Sequence, residues 1–288
     1  MSVSKPVLIV GASGKVGGEL LRLLEAHNVK VRACTRSPEQ RHARQDTTEW
    51  VAFDLERPET YGPTLSGIRS VFLIARPGDE HPETTALPLI ASMRDAGVEH
   101  VVNLTAMGCE LRPDFGLRKV ELALEGSGLA FTHLRPNFFM QIFTSGLHRA
   151  QIMMRRQIRL PAADARISFI DVQDIAEVAA KCLLEAEHRG KGYTLTGGVA
   201  ISHAVVAKAI ADATHTAVQY VALTEDEARA DLAAAGLPSA NVERLIEFYR
   251  LVRTGAAATV SPSVEKILGR PPRTFTDFAA QRASDWMR

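Results

Sequence analysis

The sequence predicts an α/β protein built on a mostly parallel, doubly wound sheet, with a smaller and mostly helical subdomain in its C-terminal part. Two observations predict this fold class. The apolar residues 6–10 lead through the glycine-rich residues 11–18 directly into a helical pattern. Apolar runs and helical patterns then alternate through the first half of the chain. Such alternation is typical of parallel sheets covered by helices on both faces, whose ligands lie across the carboxyl ends of the strands.

The glycine-rich turn carries the strongest functional signal. Gly11, Gly14 and Gly17 recur at every third position after the first strand. Glycines let the backbone turn tightly and approach a pyrophosphate, while unpaired N–H groups and the positive end of the helix dipole attract the anion. Glycines can also serve such a turn for steric reasons alone. A second strand at residues 29–34 completes the βαβ unit, so we predict a Rossmann-type dinucleotide site.

The end of the second strand indicates which dinucleotide binds. A carboxylate there would accept hydrogen bonds from the ribose 2′-hydroxyl of NAD, but the sequence has Thr35, Arg36 and Ser37. The planar guanidinium of Arg36 suits a 2′-phosphate, and Lys15 within the turn adds a second positive charge. The alternative is that both are ordinary solvated surface cations. We expect NADP(H) to be the cofactor.

The remaining elements follow in order along the chain. Further strands are predicted at residues 50–53, 70–74, 98–104, 131–135, 167–170 and 193–195, and helices at 57–65, 83–96, 115–125, 174–179 and 275–286. Ser202 and Thr224 are predicted N-caps, with Glu227 completing a capping box. We expect residues 1–150 to form the NADP(H)-binding domain and residues 151–288 a substrate-binding subdomain that is partly interleaved with the first.

Composition excludes several classes of partner. The 288 residues include 34 Lys and Arg against 33 Asp and Glu, so no net field attracts nucleic acid or an anionic membrane. The sequence has no apolar run of transmembrane length and no secretory signal, and we expect a cytoplasmic protein, either monomer or homodimer. Cys34, Cys109 and Cys182 lack metal-ligand spacing and are expected to be free thiols. Cys109 lies either near the ligand or, as is commoner, in the core.

The chain resembles atypical short-chain dehydrogenases/reductases of the NmrA-like, NAD(P)H:quinone oxidoreductase type. The segments that carry the resemblance are the glycine turn, Arg36, Asp54-Leu55, Thr105-Ala106, and residues 135–140, 169–176 and 193–197. They extend over nearly the whole chain and are strongest in its first half. The resemblance implies an NADP(H)-binding reductase.

The same resemblance implies which residues contact each part of the cofactor. The pyrophosphate would contact Gly11, Ala12, Ser13, Gly14, Lys15 and Val16, the 2′-phosphate Arg36, the adenine Asp54 and Leu55, the adenosine side Ala75, Arg76 and Pro77, and the nicotinamide Thr105, Ala106, Pro136, Asn137, Phe138 and Phe139. For each residue the alternative is packing or turn formation, since strand ends often carry such residues without a ligand.

The sequence departs from the family pattern at the catalytic position. Classical members use a Tyr-x-x-x-Lys pair, and the match to that spacing here is Phe115 and Lys119. Phenylalanine has no proton to donate, which leaves Lys119 as the candidate catalytic residue. Glu121 and its apolar neighbours allow an alignment shifted by two residues, which would place Lys119 on a solvated helix face.

The absence of a tyrosine proton donor limits the acceptors that this chain is expected to reduce. A simple ketone that accepts hydride becomes a basic alkoxide and needs a positioned proton donor, whereas a quinone or other conjugated acceptor gives a delocalised anion that water can protonate. We therefore expect hydride transfer from NADPH to a quinone-like or other conjugated aromatic small molecule. The residues expected to contact the acceptor are Met107, Phe138, Phe139 and Met140.

Other interpretations stay open at this point. Phe139 and Met140 are equally compatible with core packing. The chain is also compatible with a non-catalytic NADP(H)-binding redox sensor, or with a biosynthetic isomerase or cyclase on the same fold.

Overall fold

In the computed structural model, which describes residues 6–40 and 47–287, strands and helices alternate as predicted. The strands are β1 Val7–Ile9, β2 Val31–Thr35, β3 Thr48–Ala52, β4 Ser70–Ile74, β5 His100–Leu104, β6 Ala130–Pro136, β7 Gln157–Leu160, β8 Arg166–Ile167, β9 Lys191–Leu195, β10 Ile201–Ser202 and β11 Gln219–Ala222. The α-helices are α1 Lys15–Ala26, α2 Tyr61–Leu65, α3 Glu83–Asp95, α4 Gly116–Glu125, α5 Gly146–Arg155, α6 Val172–Leu184, α7 His203–Thr214, α8 Glu225–Ala234, α9 Ser239–Arg253, α10 Ser263–Leu268 and α11 Phe275–Gln281.

Seven strands form one sheet in the order β3-β2-β1-β4-β5-β6-β9, and all of its pairings are parallel. The chain starts in the middle at β1, runs outward to β3, and crosses back to β4 on the other side of β1. In doubly wound sheets the ligand crevice lies at this reversal of strand order, outside the carboxyl ends of the strands. The predicted fold class is confirmed.

Helices cover both faces of this sheet because the strands are apolar on both sides. Leu8 and Val10 contribute to the core on one face, where α2, α3 and α4 supply buried residues such as Leu65, Leu89 and Leu124. On the other face α1 packs against α6, which also packs against β4 and β5. Because helices cover both faces of the sheet, a ligand has access at its edge, where the predicted cofactor residues follow the strands.

The chain divides into two compact units. One comprises the residues up to Pro136 together with Val172–Leu195, and the other Asn137–Asp171 together with the residues from Thr196 onward. Residues 137–150 therefore fall in the second unit, because the chain leaves the sheet where β6 ends. It returns for α6 and for β9, which pairs with β6 through the register of Leu134 with Tyr193. The assignment of cofactor binding to one unit and substrate binding to the other stays a prediction.

The second unit is mostly helical and has an aromatic core. Two short sheets, β7 paired with β11 and β8 paired with β10, accompany the helices. Phe143, Phe169, Phe275 and Phe278 are buried together with Trp286, whose indole Nε1 donates to the carbonyl oxygen of Phe143 at 2.7 Å. Aromatic side chains bury large apolar areas, and they anchor this unit.

Two predicted helix starts are confirmed. The hydroxyl of Ser202 accepts a hydrogen bond from the N–H of Val205, where α7 begins. Thr224 and Glu227 form the predicted capping box of α8, with each backbone N–H bonded to the side chain of the other residue. These bonds satisfy N–H groups that have no partner within the helix.

Two further predictions concern the thiols and membrane helices. All three cysteines are free and buried, and Cys109 is 1% exposed. Within residues 6–40 and 47–287, none of the helices is both long enough and apolar enough to cross a bilayer.

Candidate cofactor and active site

The predicted cofactor residues of the first unit follow the carboxyl ends of neighbouring parallel strands. Gly11 to Val16 follow β1, Arg36 follows β2, Asp54 and Leu55 follow β3, Ala75 to Pro77 follow β4, Thr105 to Met107 follow β5, and Pro136 ends β6. Because these strands are adjacent and parallel, the loops share one edge of the sheet. This edge is where a doubly wound fold binds its ligand.

The glycine positions of the turn after β1 leave little room for a side chain. Gly11 adopts a φ of +78°, a conformation that favours glycine. The N–H of Gly14 donates to the carbonyl oxygen of Gly11 at 2.9 Å, which closes the turn. A Cβ atom on Gly17 would overlap the Gly11 carbonyl oxygen and lie 2.8 Å from the Gly11 carbonyl carbon. A Cβ on Gly14 would lie 3.2 Å from the same oxygen. The glycines therefore let the start of α1 pack directly against the backbone of the turn.

Helix α1 begins at this turn and presents its amino end. Its N-cap is Gly14, which has no side chain to bond the first N–H groups, and no acidic residue lies in the first turn. Those N–H groups and the helix dipole favour an anion at this position. Lys15 stands at the first helical position, and partial burial lowers the pKa of its ammonium. The geometry fits the pyrophosphate of a dinucleotide.

The two guanidinium groups of β2 and its following loop differ in their surroundings. Arg32 is held by Glu49 at 2.9 Å and by the carbonyl oxygens of Thr64 and Ser66, both at 2.8 Å. Arg36 is exposed and forms no ion pair among the residues that the structure describes. The guanidinium at the predicted 2′-phosphate position is thus available, and no carboxylate stands in its place.

The loops predicted for the adenosine end also form turns of their own. A carboxylate oxygen of Asp54 accepts the N–H of Glu56 at 3.0 Å, and the hydroxyl of Tyr61 donates to the carbonyl oxygen of Leu55 at 2.6 Å. Arg76 pairs with Glu56 at 2.8 Å. Local structure accounts for part of the pattern at these positions, and their contacts with adenosine stay a prediction.

Behind β5 lies a buried network that joins Thr105 to two ion pairs. The hydroxyl of Thr105 donates to Glu121 Oε1 at 2.8 Å, and the Cys109 thiol donates to the same atom at 3.2 Å. Arg135 holds both oxygens of Glu121, with each N···O distance 2.9 Å, and Arg118 adds a third contact at 2.8 Å. Glu121 has no exposed surface. The Thr105 hydroxyl is therefore committed to a protein carboxylate.

The network keeps Glu121 ionised despite its burial. Burial alone would raise the pKa of this carboxyl, but the hydrogen bonds from Arg135, together with the surrounding charges and donors, hold the pKa at about 2. A buried ion pair with this many donors fixes the position of β6 relative to α4. The loop after β5 and the end of β6 thereby gain a rigid base.

The position predicted to be catalytic holds Phe115 where classical members have tyrosine. Phe115 precedes α4, and Lys119 lies on α4 with its ammonium 3.1 Å from Glu83 at the start of α3. The side chain of Lys119 is 44% exposed. Gly116 lets the two helices approach closely, since a Cβ there would lie 2.6 Å from Pro82 Cδ. A catalytic role for Lys119 stays a prediction. In that role the ammonium would have to leave Glu83, or contact the cofactor while it stays bonded to Glu83.

The second unit contains the aromatic segment that follows β6. The amide of Asn137 donates to Ser168 Oγ at 2.7 Å and to the carbonyl oxygen of Ala257 at 2.9 Å, so that its polar atoms stabilise the unit. Met140 is 2% exposed and packs in the core. Phe138 and Phe139 are partly buried, and the Phe138 ring lies 4.7 Å from that of Phe248. Phe138 and Phe139 keep surface with which to contact a ligand.

The sequence does not indicate that Glu121 and Arg118 belong to a buried network next to the predicted site. A charged residue on an amphipathic helix usually faces solvent, so the pattern of α4 alone predicts an exposed Glu121. One signal was present: Arg118, Glu121 and Glu125 follow at spacings of three and four, which places them on one face of α4. The partner Arg135 on β6 shows that this face points into the protein.

A comparison with protein families bears on this geometry. A family model described as NAD(P)H-binding matches residues 11–186, which is more than half of the chain. The chain belongs to this NAD(P)H-binding family. Membership confirms the predicted class of cofactor, because the matched region begins at the glycine turn and contains every strand-end loop described above for the first unit.

Relatives extend over nearly the whole length of the chain. The NAD(P)H azoreductase of Xenophilus azovorans is 31% identical over 285 residues, which cover 96% of this chain and 98% of the relative. The prediction of an NAD(P)H-dependent oxidoreductase is confirmed at the level of the family.

Solved structures confirm the fold of this family member. An NADPH-dependent quinone oxidoreductase from Escherichia coli complexed with NADPH has a TM-score of 0.83 at 22% identity, with 96% of this chain and 99% of that chain covered. NmrA, a negative transcriptional regulator in complex with NADP, has a TM-score of 0.77 at 16% identity, with 99% and 100% covered. The predicted resemblance to both types is confirmed at the level of the fold.

Proposed function

We propose that this chain is an NADPH-dependent reductase that delivers hydride to a quinone-like or other conjugated aromatic acceptor. The observation that carries the proposal is that the uncapped amino end of α1 and the available guanidinium of Arg36 lie at the same edge of the sheet, at the carboxyl ends of its strands. An anion-binding helix end suits the pyrophosphate, and a guanidinium without a competing carboxylate suits the 2′-phosphate.

Each part of the dinucleotide would be held by residues that the sequence predicts for it. Gly11 to Val16 would hold the pyrophosphate, chiefly through the backbone N–H groups at the start of α1, whose N-cap Gly14 has no side chain to bond them. Asp54 and Leu55 would flank the adenine, Ala75, Arg76 and Pro77 the adenosine side, and Thr105, Ala106, Pro136, Asn137 and Phe138 the nicotinamide. The polar side-chain atoms of Thr105 and Asn137 are already bonded within the protein, so these two would contact the cofactor through other atoms.

The acceptor class follows from what the chain lacks at the catalytic position. NADPH supplies a hydride when bound, and a classical active site supplies a proton from tyrosine. Phe115 stands at that position, and Lys119 is bonded to Glu83. A conjugated acceptor tolerates this because the anion it forms is delocalised and water can protonate it. Met107, Phe138 and Phe139 would pack against such a flat acceptor and exclude water, while Met140 would support them from the core.

The azoreductase relative supports an acceptor of this class. An azo dye is a conjugated aromatic compound, and the related protein covers nearly all of this chain. The proposal is tested by NADPH oxidation with a panel of quinones, azo dyes, enones and iminium compounds, alongside a binding titration with NADPH. We expect turnover with quinones or azo dyes and none with simple ketones.

The same experiment distinguishes the reductase from a redox sensor. The absence of a proton donor at Phe115 is the observation that favours a sensor. Tight NADPH binding without turnover of any acceptor would contradict the reductase and support the sensor. Conversion of a compound without net NADPH consumption would instead support an isomerase or cyclase.

Replacing Arg36 by alanine is expected to weaken NADPH binding about ten- to hundredfold and to leave NADH binding nearly unchanged. The reason is the loss of charge-assisted hydrogen bonds to the 2′-phosphate, which are worth roughly 1.5–3 kcal/mol. Titration of each nucleotide against the variant measures the effect. Arg22→Ala is the matched control, because Arg22 is exposed on α1 and pairs with Glu19. Equal losses for both nucleotides would remove the 2′-phosphate assignment.

A further inference from the structure

A second polar cluster lies away from the cofactor edge, in the connection between α6 and β9. It consists of Glu185, Glu187 and His188, with Glu187 and His188 in a short 3₁₀ turn that precedes β9. The cluster therefore lies at the amino end of β9, whereas the predicted cofactor loops follow the carboxyl ends of strands. These residues have no part in the proposed reductase.

His188 is buried with one ring nitrogen unsatisfied. Its side chain is 6% exposed, and Nε2 has no hydrogen-bond partner. Nδ1 lies 2.9 Å from the hydroxyl of Tyr193. The backbone is anchored as well, since the Thr132 hydroxyl donates to the His188 carbonyl oxygen at 2.7 Å. The ring is therefore held in place with Nε2 directed at the two carboxylates.

The distances from Nε2 suit an ion better than a hydrogen bond. Nε2 lies 3.5 Å from Glu185 Oε2 and 3.8 Å from Glu187 Oε1, and the three ligand atoms lie within 4.8 Å of one another. Hydrogen bonds between nitrogen and oxygen are usually about 2.7–3.2 Å long. Two ligand atoms at about 2.0–2.2 Å from one tetrahedral ion are separated by roughly 3.4 Å. The distances from Nε2 to the two carboxylate oxygens are closer to this ligand separation than to the length of a hydrogen bond.

The helix dipole favours a cation at this position. The cluster directly follows the carboxyl end of α6, where the helix dipole is negative. Lys181 lies 3.8 Å from Glu185 Oε1, which leaves Oε2 for a ligand, and Arg189 lies 3.9 Å from Glu99, a carboxylate outside the cluster. Tyr193 bonded to Nδ1 is the kind of outer partner that orients metal-binding histidines.

We propose that Glu185, Glu187 and His188 bind one divalent transition-metal ion of the Zn²⁺ class. An imidazole nitrogen with two carboxylate oxygens is a ligand set that Zn²⁺ accepts, with further positions left to water. The ion would fix the connection between α6 and β9 and stabilise the folded protein by mass action. It would take no part in hydride transfer, because the cluster lies at the opposite end of the strands.

Another His and Glu cluster is less suited to a cation. Glu121, Glu125 and His133 also bring three ligand atoms together. Arg118 and Arg135 already occupy both oxygens of Glu121, and Arg118 also lies 2.6 Å from Glu125. Two guanidinium charges at the ligands oppose the entry of a metal ion.

The test is calorimetric titration of Zn²⁺ into the full-length chain without an affinity tag. We expect one Zn²⁺ per chain, with visible absorption of a tetrahedral or five-coordinate site when Co²⁺ replaces it. Glu185→Gln and Glu187→Gln, both at exposed positions, should weaken binding at least about tenfold, and Tyr193→Phe about ten- to hundredfold. Zn²⁺ should also raise the unfolding temperature of the wild type but not that of the glutamine variants.

Glu99→Gln is the matched control, because Glu99 is an exposed carboxylate nearby that pairs with Arg69 and Arg189. It should bind Zn²⁺ like the wild type. The proposal is overturned if the chain binds no stoichiometric Zn²⁺, or if the Glu185 and Glu187 variants bind it as the wild type does. NADPH affinity is expected to be the same in all of these variants, so this test is independent of the proposed reductase.

Discussion

Replacing Gly17 by alanine is expected to abolish tight NADPH binding and to destabilise the protein by about 3 kcal/mol. The new Cβ would overlap the Gly11 carbonyl oxygen and approach both the Gly11 carbonyl carbon and Ala12 Cα, the latter at 3.1 Å. All of these are backbone atoms, so no side-chain rotation relieves the contact. The turn and the start of α1 must separate, which displaces the N–H groups that would hold the pyrophosphate.

The measurement is a titration of NADPH against the variant, with circular dichroism and urea unfolding to report on the fold. Gly18→Ala is the matched control at the next position of the same helix. Its Cβ would lie 3.4 Å from the Ala12 carbonyl oxygen, an ordinary contact, and alanine favours a helix over glycine. Gly18→Ala should therefore bind NADPH as the wild type does. A Gly17 variant with unchanged affinity would contradict the pyrophosphate assignment.

Replacing Glu121 by alanine is expected to lower the free energy of unfolding by about 3–5 kcal/mol. The substitution leaves the guanidiniums of Arg135 and Arg118 without their buried partner and removes the acceptor of the Thr105 and Cys109 bonds. Leaving one member of a buried ion pair unpaired is costly, because the remaining charge is still desolvated. Urea unfolding at neutral pH measures the loss.

The same carboxylate predicts a defined pH dependence. Its pKa is about 2 in the folded protein against an ordinary value of 4.5, so its contribution is complete above pH 4.5 and is lost as the pH falls toward 2. The shift corresponds to about 3 kcal/mol. Unfolding measured from pH 5 to pH 3 should show about 2 kcal/mol of this loss in the wild type and much less in Glu121→Gln, which has no carboxyl to titrate.

An exposed glutamate provides the control for burial. Glu59 pairs with Arg57 at 2.8 Å, but both side chains are more than 60% exposed. Solvent screens such a pair, and Glu59→Ala should leave the unfolding midpoint unchanged. A loss for Glu121→Ala no larger than that for Glu59→Ala would show that the buried network does not stabilise the fold.

Local signals predicted most of the sheet and the cofactor edge. The apolar run before Gly11, the glycine spacing and the position of Arg36 are all read within about 30 residues, and each depends on the geometry of one βαβ unit. The sequence also predicts the strand at residues 193–195, but it does not indicate which strand this one pairs with. Its partner β6 lies more than 50 residues earlier, and a strand pattern alone does not specify its neighbour.

The buried network was beyond local prediction for the same reason. Glu121 is recognised as buried only when Arg135, fourteen residues later on another element, is known to face it. The bond between Lys119 and Glu83 spans 36 residues and depends on the packing of α3 against α4. Polar residues on amphipathic helices predict solvent exposure by default, so their burial has to be read from the three-dimensional structure.

The return of the chain to β9 also bears on biosynthesis. A polypeptide fragment ending at Pro136 would expose the unpaired backbone edge of β6. Such an edge can pair with strands of other molecules and cause aggregation. It would also lack α6, which covers α1. During translation the sheet can be completed only after residue 195 has left the ribosome, by which time residues 137–171 of the other unit have already been made. Newly synthesised chains must therefore protect the β6 edge from the time residue 136 emerges until residues 191–195 are available to pair with it.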